Sequence, residues 1–349
     1  MKKKASITDI ANALNVSPTT VSFILNGKAR EKRISIELVD KVEKYIAEVG
    51  YTPNSLARSL RTGKTLIIGL MVESISNPFF ATIARRIEEL AYKNGYKIIY
   101  ASTDNDTSRT KELIKMFRER HVDGYIISPP EGIEDDVSSL INAGIPVVFF
   151  DRYLSDIAVD SVTIDNFGSS YKAVKYLIST GCKNIGFVTL DSLQTQMQDR
   201  LRGYEKAIEE AGLTMHVKEI GFNQNPDYVV RHIIAFLQRN VKLDAVFFAT
   251  NYLGISGLKA LRTLDVRIPG EIAVIAFDDH DLFELHKPAI TAIYQPVDQI
   301  SNQVINILLD KMNSESKQKK EQNLVLPTEM IIRESTNAPA GSEITLSPS

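Results

Sequence analysis

The first 50 residues contain two short stretches with helical periodicity, separated by a tight polar turn. In the stretch SITDIANAL the apolar side chains fall on one helical face, at Ile7, Ile10, Ala11 and Leu14. The second stretch, NVSPTTVSFILNG at residues 15–27, has an apolar face formed by Val21, Ile24 and Leu25. Two helices joined by the turn LNVS can bury each other and leave the second exposed, so the pattern predicts a helix-turn-helix.

The ends of the second helix are marked by residues with strong positional preferences. Ser17 is a good N-cap, and Pro18 fits the first helical position, where a missing N–H costs nothing. The pair Asn26-Gly27 ends the helix. The face opposite the apolar one is small enough to approach another surface closely, and it carries Pro18, Thr19, Ser22 and Phe23.

From Thr65 onward, short apolar runs alternate with helical patterns. Strands are predicted at TLIIGLMV, KIIYAST, VDGYIISP and PVVFFD, with helices at FFATIARRIEELAYKNG, 107–121 and 134–143. After SVTIDN the alternation restarts with strands NIGFVTL, KEIGF, AVFFAT and AVIAFDD and helices at 167–180, 200–212, 226–239 and 253–264. AITAIYQP is predicted to be a late crossing segment before a helix at 297–312. The pattern predicts two α/β subdomains with parallel sheets and right-handed crossovers.

Polar and aromatic residues follow the predicted strands, where open parallel sheets bind ligands. In the first subdomain these residues are Asn77, Phe79-Phe80 and Asp151-Arg152, and in the second they are Asp165, 191–196, Asn251 and Asp278. Two subdomains facing each other across a hinge would bring these residues into one cleft. Asp165 and Asp191 fit equally well as caps at strand ends.

Signatures of catalysis, metal binding and nucleotide binding are missing from the sequence. No G-x-G-x-x-G motif follows the first strand and no P-loop occurs, while the five histidines lack metal-ligand spacing. The single cysteine, Cys182, excludes an internal disulfide, fits a reducing cytoplasm and is expected to be a small buried apolar residue. The core is therefore predicted to bind a ligand without catalysis and without a metal or cofactor.

Length and charge place further limits on the class of protein. The 349 residues are 44% hydrophobic and 24% charged, an ordinary balance for a soluble protein. No apolar run approaches the roughly 20 residues of a membrane span, and MKKKAS is not followed by a secretory apolar region. Residues 1–64 carry 12 Lys/Arg and 6 Asp/Glu, a net charge of +6, whereas the remainder has 29 and 37, a net charge of −8. A basic N-terminal part with a helix-turn-helix pattern predicts a polyanionic partner.

The segment YTPNSLARSLRTGK at 51–64 joins the two parts of the chain. Pro53 ends the preceding helix, Asn54 can cap a new one, SLARSL allows about two turns, and Gly63 ends it. A helix this short is marginal in water, so we expect it to fold only on its target and to couple the core to the N-terminal part. A plain linker is the alternative.

Several motifs together resemble the lactose/galactose repressor (LacI/GalR) family of bacterial transcriptional regulators. They are ITDIANALNVSPTTVSFILNG, GYTPNSLARSLRTGKT, IGLMVESISNPFF, VDGYIISP, DRLRGYEKAI and IAVIAFDD, and the similarity runs from about Ile7 to Ser335. The resemblance implies a helix-turn-helix domain at 1–50, a hinge helix at 51–64 and a periplasmic-binding-protein-like core at 65–335. It implies a cytoplasmic homodimer that binds palindromic operator DNA and responds to a small metabolite, most simply a sugar. Residues 336–349 are expected to be a disordered tail.

The resemblance assigns base contacts in the major groove to Pro18, Thr19 and Phe23. The family commonly has Arg or His at the position of Phe23, and a phenylalanine can instead contact a thymine methyl group or pack against the protein. The family also implies that Leu60 enters the minor groove and that Ala57 lets paired hinge helices approach. The expected DNA contacts are Ser17, Pro18, Thr19, Thr20, Ser22, Phe23, Asn26, Lys28, Arg30, Asn54, Ala57 and Leu60.

The loop KAREKR at 28–33 is about three residues longer than is typical for the family. The following helix has Leu38-Val39 where a Thr-Arg pair is usual. We infer that phosphate binding has moved into the loop, whose cations are Lys28, Arg30, Lys32 and Arg33. Binding through phosphates should weaken steeply with salt.

In the core, the resemblance implies an effector cleft with aromatic walls and polar side chains. Tyr252 stands where the family often has an aspartate, which separates this cleft from any particular sugar site of the family. The expected effector contacts are Asn77, Phe79, Phe80, Asp151, Gln194, Gln196, Arg200, Asn251, Tyr252, Asp278 and Gln295. The rival hypotheses are a sugar receptor of periplasmic-binding-protein type and an enzyme such as a sugar kinase. The sequence leaves open whether the effector releases the protein from DNA or recruits it.

Overall fold

The computed structural model describes residues 6–51, 59, 63–222, 224–313 and 321–337. The chain divides into two units, Met1–Thr65 and Leu66–Ser349, which we call the head and the core. Each unit has its own cluster of buried apolar side chains. The hinge segment proposed at 51–64 lies largely outside the described residues.

The described residues 6–51 of the head form three helices, α1 (Ile7–Leu14), α2 (Pro18–Leu25) and α3 (Ile36–Val49). Each begins after a serine whose hydroxyl accepts a hydrogen bond from a backbone N–H of the first turn, namely Ser6, Ser17 and Ser35. The three apolar faces meet in a small core formed by Ile10, Ala11, Val21, Ile24 and Val42. The predicted helix-turn-helix is therefore confirmed.

Lobe 1 of the core is a parallel α/β unit. Its strands are β1 (Ile67–Val72), β2 (Lys97–Ser102), β3 (Gly124–Ile127), β4 (Val147–Phe150), β5 (Asp160–Ile164) and β11 (Asn323–Leu326). Its helices are α4 (Pro78–Lys93), α5 (Thr107–Glu119), α6 (Glu134–Asn142) and α12 (Val297–Asn313). The strand order is β11-β5-β4-β3-β1-β2, and every neighbouring pair is parallel.

Lobe 2 repeats this arrangement. Its strands are β6 (Ile185–Asp191), β7 (His216–Gly221), β8 (Ala245–Phe248), β9 (Ala273–Phe277), β10 (Thr291–Tyr294) and β12 (Glu329–Ile331). Its helices are α7 (Asn166–Ser179), α8 (Thr195–Glu210), α9 (Pro226–Arg239), α10 (Asn251–Thr263) and α11 (Asp281–Leu285). The order is β12-β10-β9-β8-β6-β7, and only the β10–β12 pair is antiparallel. Two subdomains with parallel sheets are thus confirmed.

The chain passes between the lobes three times, after β5, after β10 and after β11. The predicted crossing segment AITAIYQP consists of strand β10 and the residues that lead into α12 of lobe 1. Because the carboxyl ends of both sheets lie beside these crossings, the residues that follow the strands of the two lobes can share one cleft.

Two predicted boundaries in the core are wrong. Helix α8 begins at Thr195, five residues before the predicted start at 200, because its first turn is polar and carries no apolar periodicity. The predicted tail at 336 begins too early, since Thr336 is 2% exposed and its hydroxyl lies 2.7 Å from the hydroxyl of Thr291. Residues 338–349 lie outside the described part of the chain.

Candidate functional site

The exposed side of α2 is the candidate recognition surface of the head. Ser17, Pro18 and Thr19 are exposed at its N-terminal end, and the side chains of Ser22 and Phe23 are half-buried one turn later. The opposite side of the helix packs into the head core. The helix therefore presents its first turn to the outside, as a helix that enters a groove must.

Three of the predicted DNA contacts also hold the ends of α2. The hydroxyl of Ser17 accepts from the backbone N–H of Thr20 at 3.0 Å and lies 2.9 Å from the Thr20 hydroxyl. At the other end the side-chain amide of Asn26 donates to the carbonyl oxygen of Ser22 at 2.5 Å. These side chains are thus fixed in orientation before any partner binds.

Phe23 lies outside the apolar core of the head, and the Lys32 ammonium stands 5.5 Å from the centre of its ring. The loop that carries Lys32 is a compact turn, closed by hydrogen bonds from the Lys32 N–H to the carbonyl of Lys28 and from the Ile34 N–H to the carbonyl of Ala29. It leaves the side chains of Lys28 and Arg30 exposed. Loop cations and the α2 surface therefore lie side by side.

The substitution of the family's usual Thr-Arg pair has a structural reason. Leu38 and Val39 are partly buried against the apolar core of the head, so they stabilise α3 from the inside. The predicted hinge contacts Asn54, Ala57 and Leu60 lie outside the described residues.

Ten of the eleven predicted effector contacts line one cavity between the lobes, which we call the polar cleft. Its volume is about 30 Å³, enough for little more than water. The eleventh residue, Asn251, lines an adjoining cavity of about 460 Å³. The residues that line the polar cleft are Glu73, Asn77, Phe79, Phe80, Asp151, Leu190, Gln194, Gln196, Met197, Arg200, Thr250, Tyr252, Asp278 and Gln295.

Arg200 is the most constrained side chain on the lobe 2 side. It is 2% exposed, and its guanidinium donates to the side-chain oxygen of Asn166 at 2.9 Å and to the carbonyl of Ala249 at 2.6 Å. The guanidinium carbon lies 3.5 Å from the centre of the Phe277 ring, a close cation–π contact. Gln196 lies one turn earlier on α8, so the two side chains share a helix face that is turned to the cleft.

Asp278 follows strand β9 and projects into the cleft from an unusual backbone conformation. Its φ is +65°, in the left-handed region, and its carboxylate accepts a hydrogen bond from the Gln295 amide at 2.5 Å. The Arg200 guanidinium stands 3.6 Å from the same carboxylate oxygen. Both residues that form this ion pair are almost completely buried.

Asp151 occupies the corresponding place in lobe 1. It follows β4 with a φ of +69°, accepts a hydrogen bond from the Ser128 hydroxyl at 3.3 Å and lies 3.2 Å from the Arg152 guanidinium. Burial raises the pKa of the Asp151 carboxyl to about 6, and Arg152 opposes this shift only partly. Ionisation of the Asp151 carboxyl is therefore less favourable in the buried cleft than in water.

A buried cluster in lobe 1, formed by Arg152, Glu73 and Ser128, was not among the predicted contacts. Arg152 is 1% exposed and donates to the carboxylate of Glu73 at 2.7 Å and to the hydroxyl of Ser128 at 2.9 Å. Glu73 and Ser128 each follow directly on a buried strand, β1 and β3. Both could have been predicted from their positions directly after a strand, which is how Asp151 was predicted.

A direct contact joins the lobes at the edge of the cleft. The side-chain oxygen of Asn77 caps α4 by accepting from the Phe79 N–H at 3.0 Å, and it also accepts from the Asn251 amide at 3.3 Å. Phe79 and Phe80 stand edge to face, with ring centres 5.0 Å apart. Phe79 of the aromatic wall is thus hydrogen-bonded through its backbone to Asn77, which also contacts Asn251 of the other lobe.

Gln194, Gln196 and Tyr252 complete the polar surface. Gln196 donates to the Gln194 side-chain oxygen at 3.2 Å, while its own buried side-chain oxygen accepts no hydrogen bond from the described residues. Burial raises the pKa of the Tyr252 hydroxyl far above its ordinary value, and the nearby Glu73 carboxylate acts in the same direction. Tyr252 is therefore a neutral hydroxyl.

The two remaining candidates at strand ends are not part of this cavity. Asp165 caps α7 by accepting from the Gly168 N–H at 2.7 Å, which confirms the capping interpretation. Asp191 is exposed at the end of β6 and does not line the polar cleft.

The charges of the polar cleft are already paired with each other. Arg152 meets Glu73 and Asp151, and Arg200 meets Asp278, so each guanidinium already faces a carboxylate, although one terminal nitrogen of Arg152 has no hydrogen-bond partner among the described residues and can still donate a hydrogen bond. Within the described ranges, no group of three or more His, Cys, Asp or Glu side chains is placed to hold a metal ion. The paired charges of the polar cleft therefore suit a neutral, hydroxyl-rich ligand.

No helix of the described residues is both long and apolar enough to span a membrane.

Two family models match the chain. Residues 6–54 match the model described as bacterial regulatory proteins, lacI family, and residues 174–336 match a periplasmic binding protein-like domain. The first match covers all of α1, α2 and α3, and the second covers nearly all of lobe 2.

Individual relatives extend the similarity to nearly the whole chain. RegA of Clostridium saccharobutylicum, an HTH-type transcriptional regulator, is 33% identical over 334 residues, covering 95% of this chain and 99% of RegA. A LacI family transcriptional regulator from Enterococcus faecium with bound ribose is 26% identical, with a TM-score of 0.70 over 78% of this chain and 99% of that one. The Lac repressor dimer bound to operator and the anti-inducer ONPF is 20% identical and shares the fold, with a TM-score of 0.85 over 96% of this chain and 100% of the repressor. This chain belongs to the LacI family of bacterial transcription regulators.

Proposed function

We propose that this protein is a cytoplasmic homodimer that represses transcription by binding operator DNA and is controlled by a neutral sugar bound in the polar cleft. It is not an enzyme in this proposal. The observation that carries the ligand assignment is the polar cleft itself, where internally paired charges, amide side chains and an aromatic wall converge from both lobes.

The chemistry of the cleft favours a sugar over other metabolites. A sugar ring needs planar donors and acceptors for its hydroxyls and an aromatic surface for its C–H face. Gln194, Gln196 and Gln295 supply amides, and Phe79 supplies a half-buried ring. The ribose bound to the Enterococcus faecium relative supports the same class of ligand.

The free volume of about 30 Å³ has a consequence for binding. A sugar ring does not fit into it, so the lobes must separate or the cleft side chains must move before the ligand enters. The hydrogen bond between Asn251 and Asn77 is a contact between lobes that such a movement breaks. A ligand that favours one arrangement of the lobes over another can thereby shift the protein between states.

The head supplies the proposed DNA-binding surface. The first turn of α2 is exposed, and the adjacent loop carries the exposed side chains of Lys28 and Arg30. Cations that neutralise phosphates release counterions, so affinity should fall steeply as salt rises from about 50 to 200 mM. The proposed DNA contacts also include Asn54, Ala57 and Leu60 of the hinge segment, and each must be tested by a separate variant.

The test of the ligand assignment is a thermal-shift screen of neutral monosaccharides and disaccharides on the full chain. At least one should raise the Tm in a concentration-dependent way. Gln196→Ala should lose the shift, whereas the matched variant Gln303→Ala, on the exposed side of α12, should retain it. A ligand assignment to the cleft fails if no neutral sugar changes the Tm, or if both variants respond like the wild type.

A further inference from the structure

The adjoining cavity of about 460 Å³, which we call the apolar chamber, is lined by residues of both lobes. Lobe 1 contributes polar residues, including Glu73, Ser74 and Asn77. Lobe 2 contributes an apolar wall formed by Leu190, Ile220, Phe222, Val229, Leu253 and Ile255, beside the polar side chains of Gln224, Asn251 and His280. The larger of the two adjoining cavities therefore has an apolar surface on its lobe 2 side.

The apolar wall follows from the local structure of lobe 2. Leu190 and Ile220 stand at the carboxyl ends of the neighbouring strands β6 and β7, and Val229 lies in the first turns of α9. Leu190, Ile220 and Leu253 are at most 6% exposed, so they belong to the lobe 2 core as well as to the wall. The wall is anchored, and its shape is set before a ligand arrives.

The chamber opens into the polar cleft. Glu73, Asn77, Leu190 and Tyr252 line both cavities. Tyr252 stands at the junction, since it lines both cavities, and its hydroxyl lies near Thr250 and Glu73.

Size and charge limit what the chamber can hold. Small-molecule sites typically enclose about 300–1,000 Å³, so the chamber is large enough for a group attached to a sugar, whereas the polar cleft is not. Among the described residues that line the chamber, Glu73 is the carboxylate, His280 is the imidazole, and no Lys or Arg occurs. An anionic substituent is therefore disfavoured there, and an apolar one gains by leaving water.

We propose that the effector is an amphipathic glycoside, with its sugar ring in the polar cleft and an apolar substituent, such as an aryl group, in the apolar chamber. This inference rests on the proposed function, because it needs a sugar in the polar cleft. Tyr252 is then a residue that determines specificity, since it lines both the polar cleft and the apolar chamber.

The test compares matched ligands on the full-length wild type by isothermal titration calorimetry. The probes are methyl and phenyl β-D-glucopyranoside, galactopyranoside and xylopyranoside, together with methyl β-cellobioside. For at least one sugar, the phenyl glycoside should bind about tenfold or more tightly than its methyl counterpart, because burial of an aromatic ring removes a large apolar area from water. Relative to methyl β-D-glucopyranoside, methyl β-cellobioside should show a smaller increase in affinity than phenyl β-D-glucopyranoside.

A pair of variants places the gain in the chamber. Val229→Phe fills space beside the apolar wall and should abolish the preference for phenyl over methyl glycosides. Val230→Phe adds the same ring at the next position of α9, which does not line the chamber, and should retain the preference. Both variants are first compared with the wild type by their Tm, and the wild-type ligand ratio stands on its own if either is unstable.

The possible outcomes separate this inference from the proposed function. If free sugars or methyl glycosides bind but phenyl glycosides bind no more tightly, the inference is overturned and the proposed function stands. A larger gain with cellobioside than with the phenyl compound overturns it in favour of a second sugar ring. If no sugar or glycoside binds, both assignments are overturned.

Discussion

The two lobes have the same strand order, and each places an aspartate with a positive φ after the same strand of its sheet. They differ in the side chains that surround this aspartate. Asp151 follows β4 and Asp278 follows β9, each at the third strand from the corresponding edge of its sheet. Both adopt a left-handed conformation, with φ of +69° and +65°. Such a conformation is uncommon for a residue other than glycine, so its repetition points to a common role at the cleft.

The partners of the two carboxylates are different. Asp278 accepts a short hydrogen bond from the Gln295 amide and lies near Arg200. Asp151 shares Arg152 with a second carboxylate, that of Glu73, and burial raises its pKa to about 6. The comparison shows that the fold fixes where a carboxylate stands, while the neighbouring side chains determine its charge.

The largest expected effect concerns the crowded cluster of lobe 1. Arg152→Met should lower the free energy of unfolding by about 3–5 kcal/mol, because it leaves Glu73 and Asp151 buried without their guanidinium. Urea denaturation followed by circular dichroism measures this loss. Addition of Glu73→Gln to Arg152→Met should recover part of it, and a loss below about 1 kcal/mol would show that the cluster is well hydrated.

The next effect is a pH dependence that belongs to Asp151. Its pKa of about 6 in the folded protein lies above the ordinary value of 3.8, so the folded state binds more protons between these limits. The free energy of unfolding therefore falls as the pH rises from about 4 to about 6, by an amount on the order of 2–3 kcal/mol. Asp151→Asn removes this contribution.

The measurement is the difference in free energy of unfolding between Asp151→Asn and the wild type at several pH values. This difference should shift in favour of the variant as the pH rises from 4 to 7. A difference that stays constant over this range would mean that Asp151 keeps an ordinary pKa in the folded protein.

The corresponding test in lobe 2 is Gln295→Leu. It removes the hydrogen bond to the Asp278 carboxylate and should cost about 1.5–3 kcal/mol, the usual range for a hydrogen bond to a charged group. Gln295→Glu should be at least as harmful, because it places a second carboxylate 2.5 Å from the first. If Leu is tolerated without loss in thermal denaturation, Arg200 alone is sufficient for Asp278.

The smallest expected effect lies at the contact between the lobes. Asn77→Ala loses the cap of α4 and the hydrogen bond from Asn251, and it should cost about 1 kcal/mol. Asn77→Ser can keep the cap without reaching Asn251. If the two variants have equal stability in urea, the contact between the lobes contributes little, and the lobes separate freely.

The sequence was sufficient to predict the arrangement of elements, because apolar periodicity reports burial directly. It predicted both α/β subdomains, the first two helices and the N-cap of the second helix, Ser17. It failed at α8, where Gln196 and Arg200 face a polar cleft, so that the start of the helix carries no apolar stripe. Periodicity cannot detect a helix face that is buried against polar groups.

The candidate cleft was predicted less completely. Strand ends and the family resemblance indicated ten of the fourteen residues that line it, and the four that were missed are Glu73, Leu190, Met197 and Thr250. The buried cluster of Glu73, Ser128 and Arg152 was not among the predicted contacts. These residues are separated by 24 to 79 positions along the chain, and only the sheet order brings them together. The apolar chamber could not be predicted from the sequence for a similar reason. Its wall residues lie in apolar strands and helices, so their pattern is the same as that of residues in the hydrophobic core.

In the proposed function, a ligand between the lobes controls how strongly the head binds DNA. The most direct measurement selects duplexes from a random library with the full chain and then titrates the selected duplex by fluorescence anisotropy, with and without a sugar that saturates the protein by thermal shift. We expect the Kd to change by about 5- to 150-fold, in either direction, and this change should disappear in Gln196→Ala. An unchanged Kd at saturating ligand, or the absence of any selected sequence, would contradict the proposed function.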